Sequence, residues 1–205
     1  MPKVGFQPRL FEVPEDAAPR RVALDATSWI ELVPGWLPDP EALFAELRDG
    51  ARWEQRDRRM YEKTVTEPRL TAEIGDVATA PSALREAVAR LATQYGVSYD
   101  SLWLNFYRDG QDSTAWHGDR ISCRRDDCVV PVLTLGATRR FLIKPRTGGS
   151  SLALWPAAGD LVVMGGRCQR DFVHSVPRAP ELREPRISVN FQSSEQGRAP
   201  RLPRR

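Results

Sequence analysis

The stretch RRFLIKPRTGGSSLALWPAAGDLVVMGG, residues 139–166, alternates short apolar runs with glycine, proline and aspartate. Short apolar runs bounded by turn-forming residues are typical of short antiparallel β-strands. The same pattern fills most of the chain after residue 100, and it indicates a β-sandwich or a jelly roll. The other runs are SLWLNFYRDG (101–110), CVVPVLTLG (128–136), HSVP (174–177) and RISVNFQ (186–192).

Two helices are predicted before this run of strands. DPEALFAELRDG (39–50) places apolar residues on one face, with Asp39 as the expected N-cap and Pro40 in the first turn. APSALREAVARLATQYG (80–96) has a second apolar stripe and ends at a glycine. Two helices followed by many strands predict an α+β fold in which the N-terminal helices pack on one sheet.

Length and composition indicate one globular domain. The chain has 205 residues, of which 41% are apolar and 28% charged. No apolar run is long enough to cross a bilayer, and the N-terminal residues lack a secretory core. We therefore expect a cytoplasmic monomer with no membrane partner.

The predicted organisation is an extended arm over 1–20, a single domain over 21–196 and a basic tail over 197–205. The net charge is only +3, but arginines cluster at 56–59 and in the tail. Such clusters can hold a polyanion through its phosphates. A solvated, arginine-rich surface has the same composition, so charge alone leaves nucleic-acid binding open.

The chain has only two histidines. His117 stands two residues before Asp119, and alternate residues of a strand share a face, so the two side chains can lie together. His174 begins another predicted strand, and distant strands of a jelly roll line the same barrel mouth. Two imidazoles and a carboxylate form the facial triad of non-haem Fe(II) oxygenases. A His–x–Asp pair also occurs by chance, but no other histidine is available here.

The last strand predicted, within PRISVNFQ (185–192), alternates polar and apolar residues. Arg186 belongs to the polar row, and a guanidinium in a barrel interior suits a carboxylate ligand, which it can bind in a bidentate manner. An edge strand with a solvated arginine explains the same pattern, and the residues alone leave both interpretations open.

Together these segments resemble the AlkB family of 2-oxoglutarate- and Fe(II)-dependent dioxygenases, the nucleic-acid alkylation-repair demethylases. The resemblance spans roughly residues 30–195 and suggests a divergent bacterial member. The matching segments are LNFYRDG (104–110), WHGD (116–119), GDLVVMGG (159–166), FVHSVP (172–177) and RISVNFQ (186–192), with EPRLTAEIG (67–75) similar to the substrate-side segment of repair members.

The resemblance implies a double-stranded β-helix (jelly-roll) core over about 100–195 and a substrate-side segment over about 51–78. It implies oxidative demethylation of N-alkylated bases in single-stranded or flipped-out DNA, with RNA as an alternative polymer, using Fe(II), 2-oxoglutarate and O2 and releasing formaldehyde, succinate and CO2. The implied Fe(II) ligands are His117, Asp119 and His174. The implied 2-oxoglutarate residues are Asn105, Tyr107, Arg186, Asn190 and Gln192, and the expected substrate contacts are Arg69, Arg120, Tyr61 and Trp53.

Three features depart from the family pattern. Gln192 replaces a second arginine, Arg120 replaces an acidic residue that can recognise an alkylated base, and Glu73 and Ile74 replace aromatic residues. Two alternatives therefore stay open: the same oxygenase chemistry on a protein or a small molecule, and a non-enzymatic nucleic-acid-binding homologue. We interpret Trp116 as a packing residue beside the metal-binding strand rather than as a ring on which the substrate stacks.

Overall fold

The computed structural model describes residues 19–60, 63–119 and 125–197, with the side chains of 58–60 and 63–65 left out. The predicted arm up to residue 18, Tyr61, Arg120 and the basic tail from residue 198 lie outside the described residues. Within the described ranges, no helix combines the length and the apolar character needed to cross a bilayer.

The described residues form a mixed fold that is mostly strand, with two antiparallel sheets. One sheet has eight strands in the order β1-β2-β10-β7-β12-β5-β4-β3, and the other has four in the order β6-β11-β8-β9. The strands are β1 Arg20–Ala23, β2 Ser28–Val33, β3 Glu54–Met60, β4 Lys63–Ile74, β5 Ser101–Tyr107, β6 Thr114–His117, β7 Cys128–Gly136, β8 Phe141–Pro145, β9 Leu152–Leu154, β10 Leu161–Gly166, β11 Phe172–Val176 and β12 Arg186–Gln192. The helices are α1 Pro40–Gly50, α2 Ser82–Tyr95, α3 Cys168–Asp171 and α4 Ser194–Gly197, with a 3₁₀ helix at Val77–Thr79.

The eight-stranded sheet is the middle layer, and its strands are apolar on both faces for that reason. On β12, Ile187, Val189 and Phe191 are fully buried in a core that also contains α1 and α2 residues. A second core lies on the opposite face, between this sheet and the four-stranded one. Each fully buried side chain of this kind contributes about 1.5–3 kcal/mol to folding.

Both predicted helices are present, but the predicted cap of α1 is wrong. Asp39 adopts a left-handed conformation, with φ 52° and ψ 55°, and its side chain makes no capping hydrogen bond. An N-cap residue that binds the first turn is normally extended, and the left-handed backbone of Asp39 does not provide that geometry. α2 begins at Ser82, two residues later than predicted, because Pro81 precedes its first turn.

Strands β1 to β4 were not predicted. β3 and β4 pair with each other, and β4 pairs with β5, so the segment predicted to face the substrate extends the large sheet. Its residues, such as QRDRR at 55–59, are strongly charged, and an edge hairpin of this composition lacks the apolar pattern that marks a strand.

Gly110 lies where the loop between β5 and β6 meets the segment after β11. Its N–H donates to the Leu182 carbonyl at 3.0 Å, and its carbonyl accepts from Ala179 N at 2.8 Å. A Cβ atom there would lie 1.7 Å from the Ala179 oxygen, so Gly110→Ala requires the backbone to move. We expect a loss of about 1–3 kcal/mol in the free energy of unfolding, measured with urea. Gly75→Ala is the control because no atom lies within 4 Å of its added Cβ; equal losses for the two variants would contradict the prediction.

Candidate active site

Two neighbouring strands of the small sheet bring the histidines together. β6 pairs with β11 in a register that sets His117 opposite His174, and the ring centroids are 4.2 Å apart. The sequence predicts Asp119 on the same strand as His117. In the structure β6 ends at His117, and Asp119 lies in the following loop. Its Oδ1 is 3.5 Å from His117 Nε2, and its Oδ2 is 3.4 Å from His174 Nε2. The three potential ligand atoms lie within 4.8 Å of one another.

Neighbouring groups fix the orientation of the two imidazole rings. His117 Nδ1 is 2.9 Å from the Ala115 carbonyl, which leaves Nε2 directed at Asp119. Phe141 stacks on His174 with 5.4 Å between ring centroids. Burial lowers the pKa of His174 to about 4, an effect opposed by Asp119 and reinforced by His117. His174 is therefore neutral near pH 7, the form in which imidazole binds a metal.

Gln169 holds the loop that carries Asp119. Its Oε1 accepts a hydrogen bond from Asp119 N at 2.8 Å, and its Nε2 donates to Met164 Sδ at 3.3 Å. The residue is almost completely buried. Sequence reasoning missed Gln169, because it lies on the short helix α3, fifty positions from its partner, and no periodic pattern marks it.

A cavity of about 130 Å³ extends from the histidines to the inner face of β5 and β12. Apolar side chains from both sheets form part of its wall, among them Val130, Val132, Phe141 and Val176. The remaining wall is polar and contains all five residues that were expected to bind 2-oxoglutarate. These are Asn105, Tyr107, Arg186, Asn190 and Gln192.

Arg186 is the most unusual group in the cavity wall, with 1% of its surface exposed. Its Nη2 donates to Thr134 Oγ1 at 3.1 Å, and its guanidinium lies 5.2 Å from the Tyr107 ring centroid. Its Nε and Nη1 have no hydrogen-bond partner among the described residues. Burial lowers the pKa of the guanidinium. A buried cation without an anionic partner is costly, so this arrangement suits an anionic ligand.

The other polar wall residues form two hydrogen-bonded groups. Asn105 Oδ1 accepts from Arg69 Nε at 2.9 Å, and Asn105 Nδ2 donates to Ser188 Oγ at 3.2 Å. The Tyr107 and Thr114 hydroxyls are 2.8 Å apart. Asparagine and tyrosine side chains are thereby held in fixed orientations around the cavity. Thr134, the hydrogen-bond partner of Arg186, was not predicted. It alternates with buried leucines on β7, and this alternation indicates that its side chain faces the cavity side of the sheet.

The asparagine and glutamine at the end of β12 also have protein partners. Asn190 Nδ2 donates to the Trp103 carbonyl at 3.0 Å. Gln192 Oε1 accepts from Ser101 Oγ at 3.4 Å. Both residues line the cavity, but neither supplies a second cation there.

Of the two expected substrate contacts that the structure describes, one lies at the site and the other does not. Arg69 lies on β4, lines the cavity and pairs with Glu67 at 3.1 Å. Trp53 packs against Phe106, 5.1 Å away, in the core on the helix side of the large sheet. Because Phe106 and the cavity residue Asn105 lie on opposite faces of β5, Trp53 does not contact the site. Trp116, interpreted as a packing residue, is 40% exposed.

The chain matches one known family profile over most of its length. The profile of the 2OG-Fe(II) oxygenase superfamily matches residues 32–192. The human protein named alpha-ketoglutarate-dependent dioxygenase alkB homolog 3 is 29% identical over 185 residues, covering 79% of this chain and 65% of that protein. The Arabidopsis thaliana DNA oxidative demethylase ALKBH2 is 29% identical over 120 residues, covering 47% of this chain and 38% of that protein. The chain thus spans less than two thirds of the length of these relatives.

Solved structures show the same fold. The structure of OsALKBH1 superposes with a TM-score of 0.57 at 16% identity, covering 85% of this chain and 100% of that one. A 2OG-Fe(II) oxygenase family oxidoreductase from Burkholderia pseudomallei superposes with a TM-score of 0.55 at 18% identity, covering 82% and 86% of the two chains.

Proposed function

Because the chain belongs to the AlkB family within the 2OG-Fe(II) oxygenase superfamily, we propose that it is an oxidative demethylase acting on N-alkylated bases of DNA. Members of the superfamily use Fe(II), 2-oxoglutarate and O2. The observation that carries the proposal is one cavity that contains both the His117–Asp119–His174 cluster and a buried arginine with two unpaired nitrogen atoms. The relative that is named a DNA oxidative demethylase supports the choice of polymer.

The residues present fit both cofactors. His117, Asp119 and His174 would hold Fe(II), because two imidazole nitrogens and a carboxylate oxygen leave coordination positions open. Arg186 would pair with the distal carboxylate of 2-oxoglutarate through its unpaired Nε and Nη1. When bound, the iron and 2-oxoglutarate supply the oxidation: O2 and 2-oxoglutarate become succinate and CO2 while a C–H bond of the N-alkyl group becomes C–OH.

The chain's own contribution is binding, orientation and exclusion of water. We infer that the two sheets form a double-stranded β-helix, in which the apolar side chains between them keep water from the reacting groups. Asn105 and Tyr107, already held by their protein partners, would orient the co-substrate. A base inside a duplex cannot reach this cavity, so the substrate would be unpaired or flipped out. The hydroxymethyl group formed on nitrogen then leaves as formaldehyde.

The test uses the Fe(II)-loaded protein with 2-oxoglutarate and a single-stranded oligonucleotide that contains N1-methyladenine. We expect unmodified adenine, formaldehyde and succinate in equal amounts, measured by mass spectrometry. Succinate formed with a peptide or a small molecule, but never with alkylated oligonucleotides, would contradict the DNA substrate. No succinate with any substrate, and no absorption band from anaerobic Fe(II) and 2-oxoglutarate, would support the non-enzymatic homologue.

A further inference from the structure

A second concave surface of about 420 Å³ adjoins the cavity. We call it the flanking groove and define it by six of its lining residues: Glu67, Arg69, Ser113, Trp116, Ser175 and Arg178. Arg69, Thr114 and His117 line both the flanking groove and the cavity. A ligand in the groove would therefore lie directly beside one in the cavity, as two linked units of a polymer do.

The groove contains an exposed aromatic ring. Trp116 is 40% exposed, because it precedes His117 on β6 and alternate residues of a strand face opposite sides. The Lys144 ammonium lies 4.3 Å from its ring centroid, and Lys144 does not line the groove. The lysine leaves part of the indole open to solvent. An exposed indole next to a cation is a suitable stacking partner for an unpaired base.

The groove also offers unpaired polar groups and positive charge. Arg178 is exposed and makes no ion pair with any residue in the described part of the chain. Ser175 is buried, and its Oγ lacks a hydrogen-bond partner among the described residues. Arg69 and Glu67 neutralise each other, so Arg178 gives the groove a net positive charge. An anionic group linked to a planar ring matches this combination.

We propose that the flanking groove binds the nucleotide next to the modified one, with its base stacked on Trp116 and its phosphate against Arg178. The inference rests on the proposed function and deepens it, since it makes the substrate an unpaired polymer rather than a single nucleoside. The sequence favours packing over stacking for Trp116, and it does not single out Arg178, which follows β11 and approaches Trp116 only in the folded protein.

The test is the binding of a fluorescently labelled, unmodified single-stranded oligonucleotide to the iron-loaded full chain, followed by anisotropy. Trp116→Ala is expected to raise the Kd roughly 10-fold, and Trp116→Phe to retain most of the affinity, because stacking tolerates any aromatic ring. Arg178→Ala is expected to weaken binding and to lower the slope of log Kd against log salt by about one.

Two variants serve as matched controls. Trp155 is 45% exposed and Arg140 is also exposed, but neither lines the groove, so Trp155→Ala and Arg140→Ala are expected to bind like the wild type. Equal affinities for all variants would contradict the proposed nucleotide binding in the groove, even if demethylation is observed. The expected pattern of affinities without demethylation would instead support the groove and contradict the proposed reaction.

Discussion

Replacing Asp119 by alanine is expected to abolish Fe(II) binding while leaving the fold intact. Its carboxylate contacts the Nε2 atoms of both histidines, and it would supply the only negative charge among the proposed ligands. The side chain is partly exposed and both partners are imidazoles, so its loss costs little folding free energy. Turnover should fall by more than the roughly 10- to 100-fold cost of losing a residue that only supports a ligand.

The measurements are the absorption band of the anaerobic Fe(II)–2-oxoglutarate complex and thermal unfolding of the metal-free protein. Gln169→Leu is the matched comparison, because it removes the acceptor of the Asp119 N–H but leaves all three proposed ligands. We expect this variant to bind Fe(II) roughly 10- to 100-fold more weakly than the wild type. An undiminished absorption band in Asp119→Ala would refute the assignment of the metal ligands.

The parts of the site that depend on strand periodicity could be predicted from the sequence. Alternation along RISVNFQ placed Arg186 and Asn190 on one face, and the structure has them lining the cavity while Ile187 and Val189 are buried on the other face. The pairing of His117 with His174 was inferred from the scarcity of histidines together with a barrel topology, and the register of β6 and β11 brings these residues together.

The parts that depend on long-range contacts could not be predicted. Gln169 and Asp119 meet only because the fold brings α3 next to the start of the loop after β6, and nothing in either local sequence indicates that contact. Trp53 shows the opposite error: an aromatic residue near the substrate-side segment was expected at the site, but the sheet turns it toward the helices. The sequence shows that residue 53 is aromatic. What Trp53 contacts depends on its position on the helix side of the large sheet, where it packs against Phe106.

Replacing Arg186 by methionine is expected to have opposite effects on co-substrate binding and on stability. The wild-type guanidinium is a buried cation with two nitrogen atoms unpaired within the described chain, and an apolar side chain of similar length removes that cost. We expect the free energy of unfolding without 2-oxoglutarate to rise by about 1–2 kcal/mol, near the lower end of the gain found when buried ionic groups become apolar. The thermal stabilisation that 2-oxoglutarate gives the wild type should disappear, because that shift requires binding to the folded state.

Arg139→Met is the control, because Arg139 is as deeply buried as Arg186 but leaves only its Nε without a partner among the described residues. Its Nη1 donates to the Asp109 carbonyl at 2.9 Å, and its Nη2 donates to the Asp112 and Pro177 carbonyls at 2.9 and 2.8 Å. Each hydrogen bond from a charged donor contributes roughly 1.5–3 kcal/mol, so we expect Arg139→Met to lose about 3 kcal/mol or more of stability in the same unfolding assay. If both variants lose stability alike, and Arg186→Met still responds to 2-oxoglutarate, then Arg186 is a structural residue and the proposed co-substrate site is wrong.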